Sequence, residues 1–143
     1  MKAIIYVFSG TGNTMRIASL YQEEFERHGV ETTVYSVRSD MTDLPDPEAF
    51  DHVGFAYPIH AFNAPEIMLE LARKIKPVLH KDFFILKSSG EPLKINNVSS
   101  LRFVSILKKK GYALMSEYHY VMPYNMIFRH TDREAAEMWK TAK

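Results

Sequence analysis

Ala3-Ile4-Ile5-Tyr6-Val7-Phe8-Ser9-Gly10-Thr11-Gly12-Asn13-Thr14 is the stretch that decides the fold. Its first half is apolar almost without interruption, as in a strand buried on both faces in the middle of a parallel sheet. Glycines and hydroxyl residues follow, and a helix begins near Asn13. At such a junction the first N–H groups of the helix have no partner in the helix, and the dipole adds partial positive charge. Gly10 and Gly12 let the backbone wrap closely around an anion, and Ser9, Thr11 and Thr14 add hydroxyl donors. The segment can therefore hold a phosphate without lysine or arginine. It is not a Walker A loop, because no lysine follows Gly12. It is not a dinucleotide fingerprint either, because Met15 stands where glycine or alanine is needed.

Outward from this stretch, strands and helices alternate. A helix is predicted from Asn13 to about His28, with Ala18, Tyr21 and Phe25 at helical spacing and Gly29 as its stop. Residues 31–37 read as a less buried strand, and residues 38–50 carry the Asp and Pro content of a loop. His52–Tyr57 is a third strand, ended by Pro58. Pro65 opens a helix with Ile67, Leu71 and Ile75 on one face. Residues 82–87 form a fourth strand, and residues 98–110 a helix with Leu101, Val104 and Leu107 inward. Residues 112–122 form a fifth strand. Thr131-Asp132-Arg133-Glu134 is a capping-box pattern opening a last helix through Met138 and Trp139. This order predicts an α/β fold: a parallel sheet with helices on both faces, in one domain spanning residues 1–143.

Composition narrows the function. The 143 residues are 46% hydrophobic and 24% charged, a globular balance. No apolar run is long enough to span a bilayer and no basic leader precedes the first strand, so a cytoplasmic protein is expected. The absence of cysteine excludes disulfides, thiolate metal sites and cysteine nucleophiles. A net charge of +1 offers no broad field for nucleic acid. Lys108-Lys109-Lys110 reads as a helix end whose charge complements the dipole. His60 has no second His, Asp or Glu at ligand spacing, so no metal site is read. No catalytic residue is assigned.

The loop at residues 9–14 matches Ser/Thr-x-Thr-Gly-Asn-Thr at every defined position, and so resembles the FMN-phosphate loop of the flavodoxin family. The resemblance extends over the whole chain. Tyr57-Pro58-Ile59-His60, Gly90-Glu91-Pro92 and Met122-Pro123-Tyr124-Asn125 look most like the flavodoxin domain of bacterial flavodoxin–ferredoxin fusion proteins, in which a cysteine-rich iron–sulfur module follows. The resemblance implies a three-layer sandwich with a five-stranded parallel sheet in the order 2-1-3-4-5. It also implies non-covalent FMN that shuttles electrons between a reductase and an acceptor protein, with an iron–sulfur module among the conceivable partners. Carried over by position, Ser9, Gly10, Thr11, Gly12, Asn13 and Thr14 bind the phosphate.

In an open sheet of that order a ligand sits beyond the carboxyl ends of strands 1 and 3, where the order reverses. Residues 57–63 and 88–94 converge there with the phosphate loop. Tyr57, Pro58, Ile59, His60, Ala61 and Phe62 form an unusually aromatic and apolar loop, and a flavin needs flat apolar walls. Tyr57, His60 and Phe62 are the candidate walls, with packing over the sheet as the alternative for each. Ser88, Ser89, Gly90 and Glu91 follow the fourth strand. The N–H groups around Gly90 can meet the pyrimidine edge of the ring, and Ser88 can reach the ribityl chain. Glu91 is either a turn residue facing water or a flavin contact.

This chain departs from the family in three ways. Typical flavodoxins are strongly acidic, whereas this chain is nearly neutral. The loop after strand 3 often carries a glycine whose peptide flips with the flavin's redox state; residues 57–63 have none, and Asn63 is the residue best suited to unusual backbone angles. The loop after strand 4 has no aromatic residue, which leaves one ring face open or covered by another chain. That opening fits an alternative function, an FMN reductase acting on a flat substrate such as a quinone or tetrapyrrole. A receiver domain is a poor match, since Ser9 and Tyr57-Pro58 stand where its acidic residues belong.

Overall fold

Five strands and three helices alternate along the residues described by the computed structural model, which are 1–10, 12–90 and 98–121. The strands are β1 (Lys2–Val7), β2 (Glu31–Ser36), β3 (His52–Pro58), β4 (Lys81–Ser89) and β5 (Tyr112–Val121). The helices are α1 (Asn13–Arg27), α2 (Glu66–Lys74) and α3 (Leu101–Lys108), with a 3-10 turn at Pro47–Ala49. All strand pairs are parallel, in the order β2-β1-β3-β4-β5, as expected from the sequence. The right-handed crossover rule explains the layering: each parallel connection carries its helix back across one face of the sheet.

β1 is buried on both faces because it is central. Ile4 and Tyr6 point to one side, where they join Val53, Phe55, Phe83 and Ile85 against Leu71 of α2 and Phe103 of α3. Ile5 and Val7 point to the other side, with Ala56, Phe84 and Leu86 against Ile17 and Ala18 of α1. Burying each large side chain of this kind stabilises the fold by roughly 1.5–3 kcal/mol. Buried hydroxyls are satisfied where the chain allows: Tyr6 donates to the Pro45 carbonyl and Tyr112 to the Lys76 carbonyl, both at 2.6 Å. Gly29 and Gly111 adopt φ of 80° and 96°, as the ends of the preceding helices require. Lys110 of the basic run donates to the Ile75 carbonyl at 2.8 Å and to that of Arg73, which ties down the C-terminal end of α2.

Two expectations need correction. β4 runs through Ser89, two residues further than predicted, because Ser88 and Ser89 pair with Tyr120 and Val121 of β5. Leu101 points outward and is 66% exposed; Phe103, Val104 and Leu107 form the inner face of α3 instead. Leu101 lies two residues before Phe103, about 200° around the helix, so it cannot share that face. The predicted helix at 131–139, Trp139 and residues 122–125 lie outside the described residues.

Candidate functional site

Three chain segments meet at the carboxyl ends of β1, β3 and β4. The first is the β1–α1 loop. Gly12 is the N-cap of α1 with φ of 93°, a left-handed conformation that glycine adopts without steric cost. The first turn of α1 holds no acidic side chain, and the N-cap makes no side-chain hydrogen bond. The Ser9 hydroxyl oxygen accepts from the Gly12 N–H at 3.1 Å and the Met15 N–H at 3.2 Å, which shapes the loop. A Cβ built on Gly10 or Gly12 meets nothing within 4 Å, so both face open space. The intrahelical ladder starts with Arg16 N–H to Gly12 C=O at 3.0 Å, and the Thr14 N–H finds no acceptor among the described residues. A helix start without a carboxylate in its first turn, with the Thr14 N–H unpaired among the described residues and glycines facing open space, suits a phosphomonoester. Asn13 begins the helix half-buried, and Thr11 lies outside the described residues.

The second segment is a tight reverse turn, His60–Asn63. His60 and Asn63 exchange both backbone hydrogen bonds, at 2.8 and 2.9 Å. Ala61 and Phe62 take φ of 47° and 62°, the two positive values of a type I′ turn. The sequence pointed to Asn63 for unusual angles; they fall on its two predecessors, because the turn is closed by Asn63 rather than centred on it. This costs strain, since left-handed L-residues crowd Cβ against the carbonyl. The turn carries Ala61 and Phe62 outward, Phe62 being 49% exposed. His60 sits edge-on to Phe8, with ring centroids 6.1 Å apart. His60 thus lies beside the end of β1, with Phe62 exposed on the same turn.

Tyr57 is not available in the same way. It is fully buried and packs edge-on against Phe103, 5.4 Å between centroids. Strand alternation accounts for this: Val53, Phe55 and Tyr57 share the face that meets α3. Its side chain is therefore a core element rather than a flavin wall. Pro58 ends β3 opposite Ser88, and the Ile59 N–H donates to the Ser88 carbonyl at 2.8 Å. This bond locks the turn onto the third segment.

The third segment is the end of β4. Because Ser88 and Ser89 are strand residues, their side chains point to opposite faces. Ser88 is 3% exposed, and its hydroxyl lies 2.8 Å from that of Thr14, itself 2% exposed. The Ser88 side chain therefore meets the first turn of α1. On the opposite face Ser89 bonds Nε2 of His119 at 2.6 Å. Gly90 ends the described stretch, and Glu91 lies outside it.

Sequence reading missed the polar cluster on the α3 side of these strand ends. Lys87 is 1% exposed, pairs with the Glu117 carboxylate and donates to Ser99 at 3.2 Å. Ser100 donates to the other Glu117 oxygen at 2.7 Å. Burial, aided by the Lys87 cation, pushes the His119 imidazole below its ordinary pKa, while Glu117 opposes the shift. The Tyr57 hydroxyl is buried without a hydrogen-bond partner among the described residues, and burial followed by the Glu117 charge raises its pKa. Parallel pairing of Ile85 with Glu117 and Lys87 with His119 creates this cluster, and no local pattern announces it. Among the described residues no group of three or more His, Cys, Asp or Glu is arranged to hold a metal ion. No described helix is long and apolar enough to cross a membrane.

No family model matches the chain. No curated protein matches it. Solved structures do. The chain is similar to a short-chain flavodoxin associated with a non-canonical PDU bacterial microcompartment, at 17% identity over 100% of this chain and 99% of that one, with a TM-score of 0.68. It is similar to RosB with a bound intermediate, 8-demethyl-8-formylriboflavin-5'-phosphate, at 15% identity over 99% of this chain and 73% of that one, TM-score 0.67. It is also similar to the apo form of the NADH:FMN oxidoreductase EMOB, at 14% identity over 99% and 87%, TM-score 0.65. At these identities the likeness establishes a flavodoxin-like fold.

Proposed function

We propose that this chain binds FMN and carries electrons between a reductase and an acceptor protein. One observation carries the reading: an anion-accepting helix start, open and free of carboxylates, lies at the switch point of a 2-1-3-4-5 sheet and is tied to a turn exposing an aromatic side chain. The likeness to a flavodoxin and to a protein holding a riboflavin phosphate supports it. Bound FMN supplies one- and two-electron redox chemistry.

The residues of this chain bind and orient. Ser9, Gly10, Gly12, Asn13 and Thr14, with Thr11 as a proposed further donor, take the phosphate. His60 and Phe62 line one side of the ring, with Pro58, Ile59 and Ala61 as the turn that carries them. The backbone of Ser89 and Gly90, with Glu91 as a proposed further contact, meets the ring's polar edge. The near-neutral charge fits partners recognised by shape and apolar contact more than by an acidic surface. The whole chain acts as one cytoplasmic domain in this reading.

A second reading has its own support. The end of β4 offers no aromatic residue, which leaves room for a flat organic substrate to stack, and the fold is shared with an NADH:FMN oxidoreductase. Adding FMN to the purified apo-protein separates the outcomes. Quenching of flavin emission with one equivalent bound supports either reading. Steady oxidation of a reduced nicotinamide with a small acceptor and no partner protein favours the reductase. A colourless protein that ignores FMN refutes both.

A further inference from the structure

The two faces of the sheet are covered unequally. Among the described residues, α2 and α3 pack on one face and α1 alone packs on the other. A parallel sheet is ordinarily buried on both faces. Beside α1, over β4 and β5, an apolar trough is left. At one end an open cavity of about 530 Å³ is lined by Leu20, Tyr21 and Tyr120. At the other an open cavity of about 240 Å³ is lined by Phe25, Phe84 and Met115. Tyr118 lies between Met115 and Tyr120 along β5, its ring 6.4 Å from that of Tyr21. Met115 is 61% exposed and Tyr118 47%, on a face whose other large side chains are covered. Glu23, Glu24 and Arg27 form the α1 rim of the larger cavity. From Met115 to Tyr120 the trough runs roughly 17 Å at the rise of a strand.

The sequence that follows β5 carries what this trough lacks. Residues 122–143 lie outside the described residues, and their pattern predicts a helix. After the capping box Thr131–Glu134, Ala135, Met138, Trp139 and Ala142 recur at i, i+3, i+4 and i+7 as an apolar stripe. A helix over residues 131–142 is about 18 Å long, the length of the trough. Arg133, Lys140 and Lys143 fall on one flank of the stripe and complement Glu23 and Glu24. Residues 122–130 reach up to about 30 Å when extended, enough to bring the helix back from the carboxyl end of β5.

We propose that residues 131–142 of this same chain dock as a helix in the trough between α1 and β5. Met138 and Trp139 lie against Met115 and Tyr118, and the basic flank faces Glu23 and Glu24. None of the residues proposed to hold FMN takes part.

Trp139 is the chain's one tryptophan, so its emission reports the docking. In the unmutated full chain the emission lies to the blue of the urea-unfolded protein and resists iodide quenching. Met115→Glu and Tyr118→Glu place a carboxylate in the trough at positions that are already exposed. Each shifts the emission to the red and restores quenching, while thermal unfolding stays cooperative. Tyr118→Phe keeps the blue emission. Leu101→Glu, on the outer side of α3 at 66% exposure, leaves it unchanged. The chain has no cysteine, so Tyr118→Cys with Met138→Cys gives a second measurement that needs no buried charge. A short bis-maleimide joins the two thiols within one chain.

Three results overturn the proposal. The first is an unmutated emission that coincides with that of the unfolded protein. The second is a blue emission indifferent to both glutamate variants, or thiols that do not join, since the helix then docks elsewhere. The third is thiols joined between chains, with the blue emission lost on dilution, which assigns the trough to a second copy.

Discussion

Replacing Ala61 with glycine should make the protein more stable, although glycine usually does the opposite. Ala61 is held at φ 47°, followed by Phe62 at φ 62°. The left-handed conformation costs an L-residue roughly 1–2 kcal/mol, a penalty glycine escapes. Against this, glycine raises the entropy of the unfolded chain by roughly 0.4–1 kcal/mol. The difference predicts a net stabilisation of about 0.5–1 kcal/mol for Ala61→Gly. Ala49 is the control: it is also exposed, but lies in the 3-10 turn at ordinary backbone angles. Ala49→Gly should therefore lose roughly 0.5–1 kcal/mol. Urea unfolding reads both, and the midpoints should move in opposite directions with the slope unchanged. The gain in stability should come with weaker riboflavin and FMN binding, by the same factor for each. In the proposed FMN site the turn presents the ring-facing residues, and a glycine lets it wander without touching the β1–α1 loop. Strain retained at a binding turn is thereby linked to preorganisation. If both glycine variants shift downward together, Ala61 is not strained and the argument from φ fails.

Packing under the sheet and the ionisation of β5 give two further expectations. A Cβ on Gly54 would come within 2.3 Å of the Phe84 ring, so Gly54→Ala should destabilise by roughly 1–3 kcal/mol, with Phe84→Leu recovering part of the loss in a thermal melt. The His119 pKa lies below its ordinary value of 6.5 because burial and then Lys87 disfavour the cation, with Glu117 acting the other way and Ser89 bonded to Nε2. Below pH 6.5 the unfolded chain therefore takes up the proton first, and stability falls as the pH drops toward the folded pKa, then levels off. In urea titrations between pH 7 and pH 5, His119→Gln should flatten this part of the profile; an unchanged slope would reject the assignment.

Much of this molecule was legible in residues 3–14. An apolar strand followed by glycines and hydroxyls has few structural solutions, and both the parallel sheet and the glycine-capped helix start follow from local chemistry. Gly29 and Gly111 marked helix ends for the same local reason. What the sequence could not reveal depends on side-chain direction and on contacts between distant segments. Tyr57 reads as an aromatic loop residue, but strand alternation turns it into the α3 core. Ser88 reads as a loop hydroxyl, yet β4 extends through it because β5 supplies partners, and the pleat aims it at Thr14. The Lys87–Glu117–His119 cluster arises from strand register, which a one-residue slip would dismantle. Local sequence thus determined which segments are strands, turns and helix starts, because backbone preferences and hydrophobic periodicity act over a few residues. Tertiary structure alone decided which hydroxyls, rings and charges face one another, because register and burial are settled only when strands far apart in the chain come together.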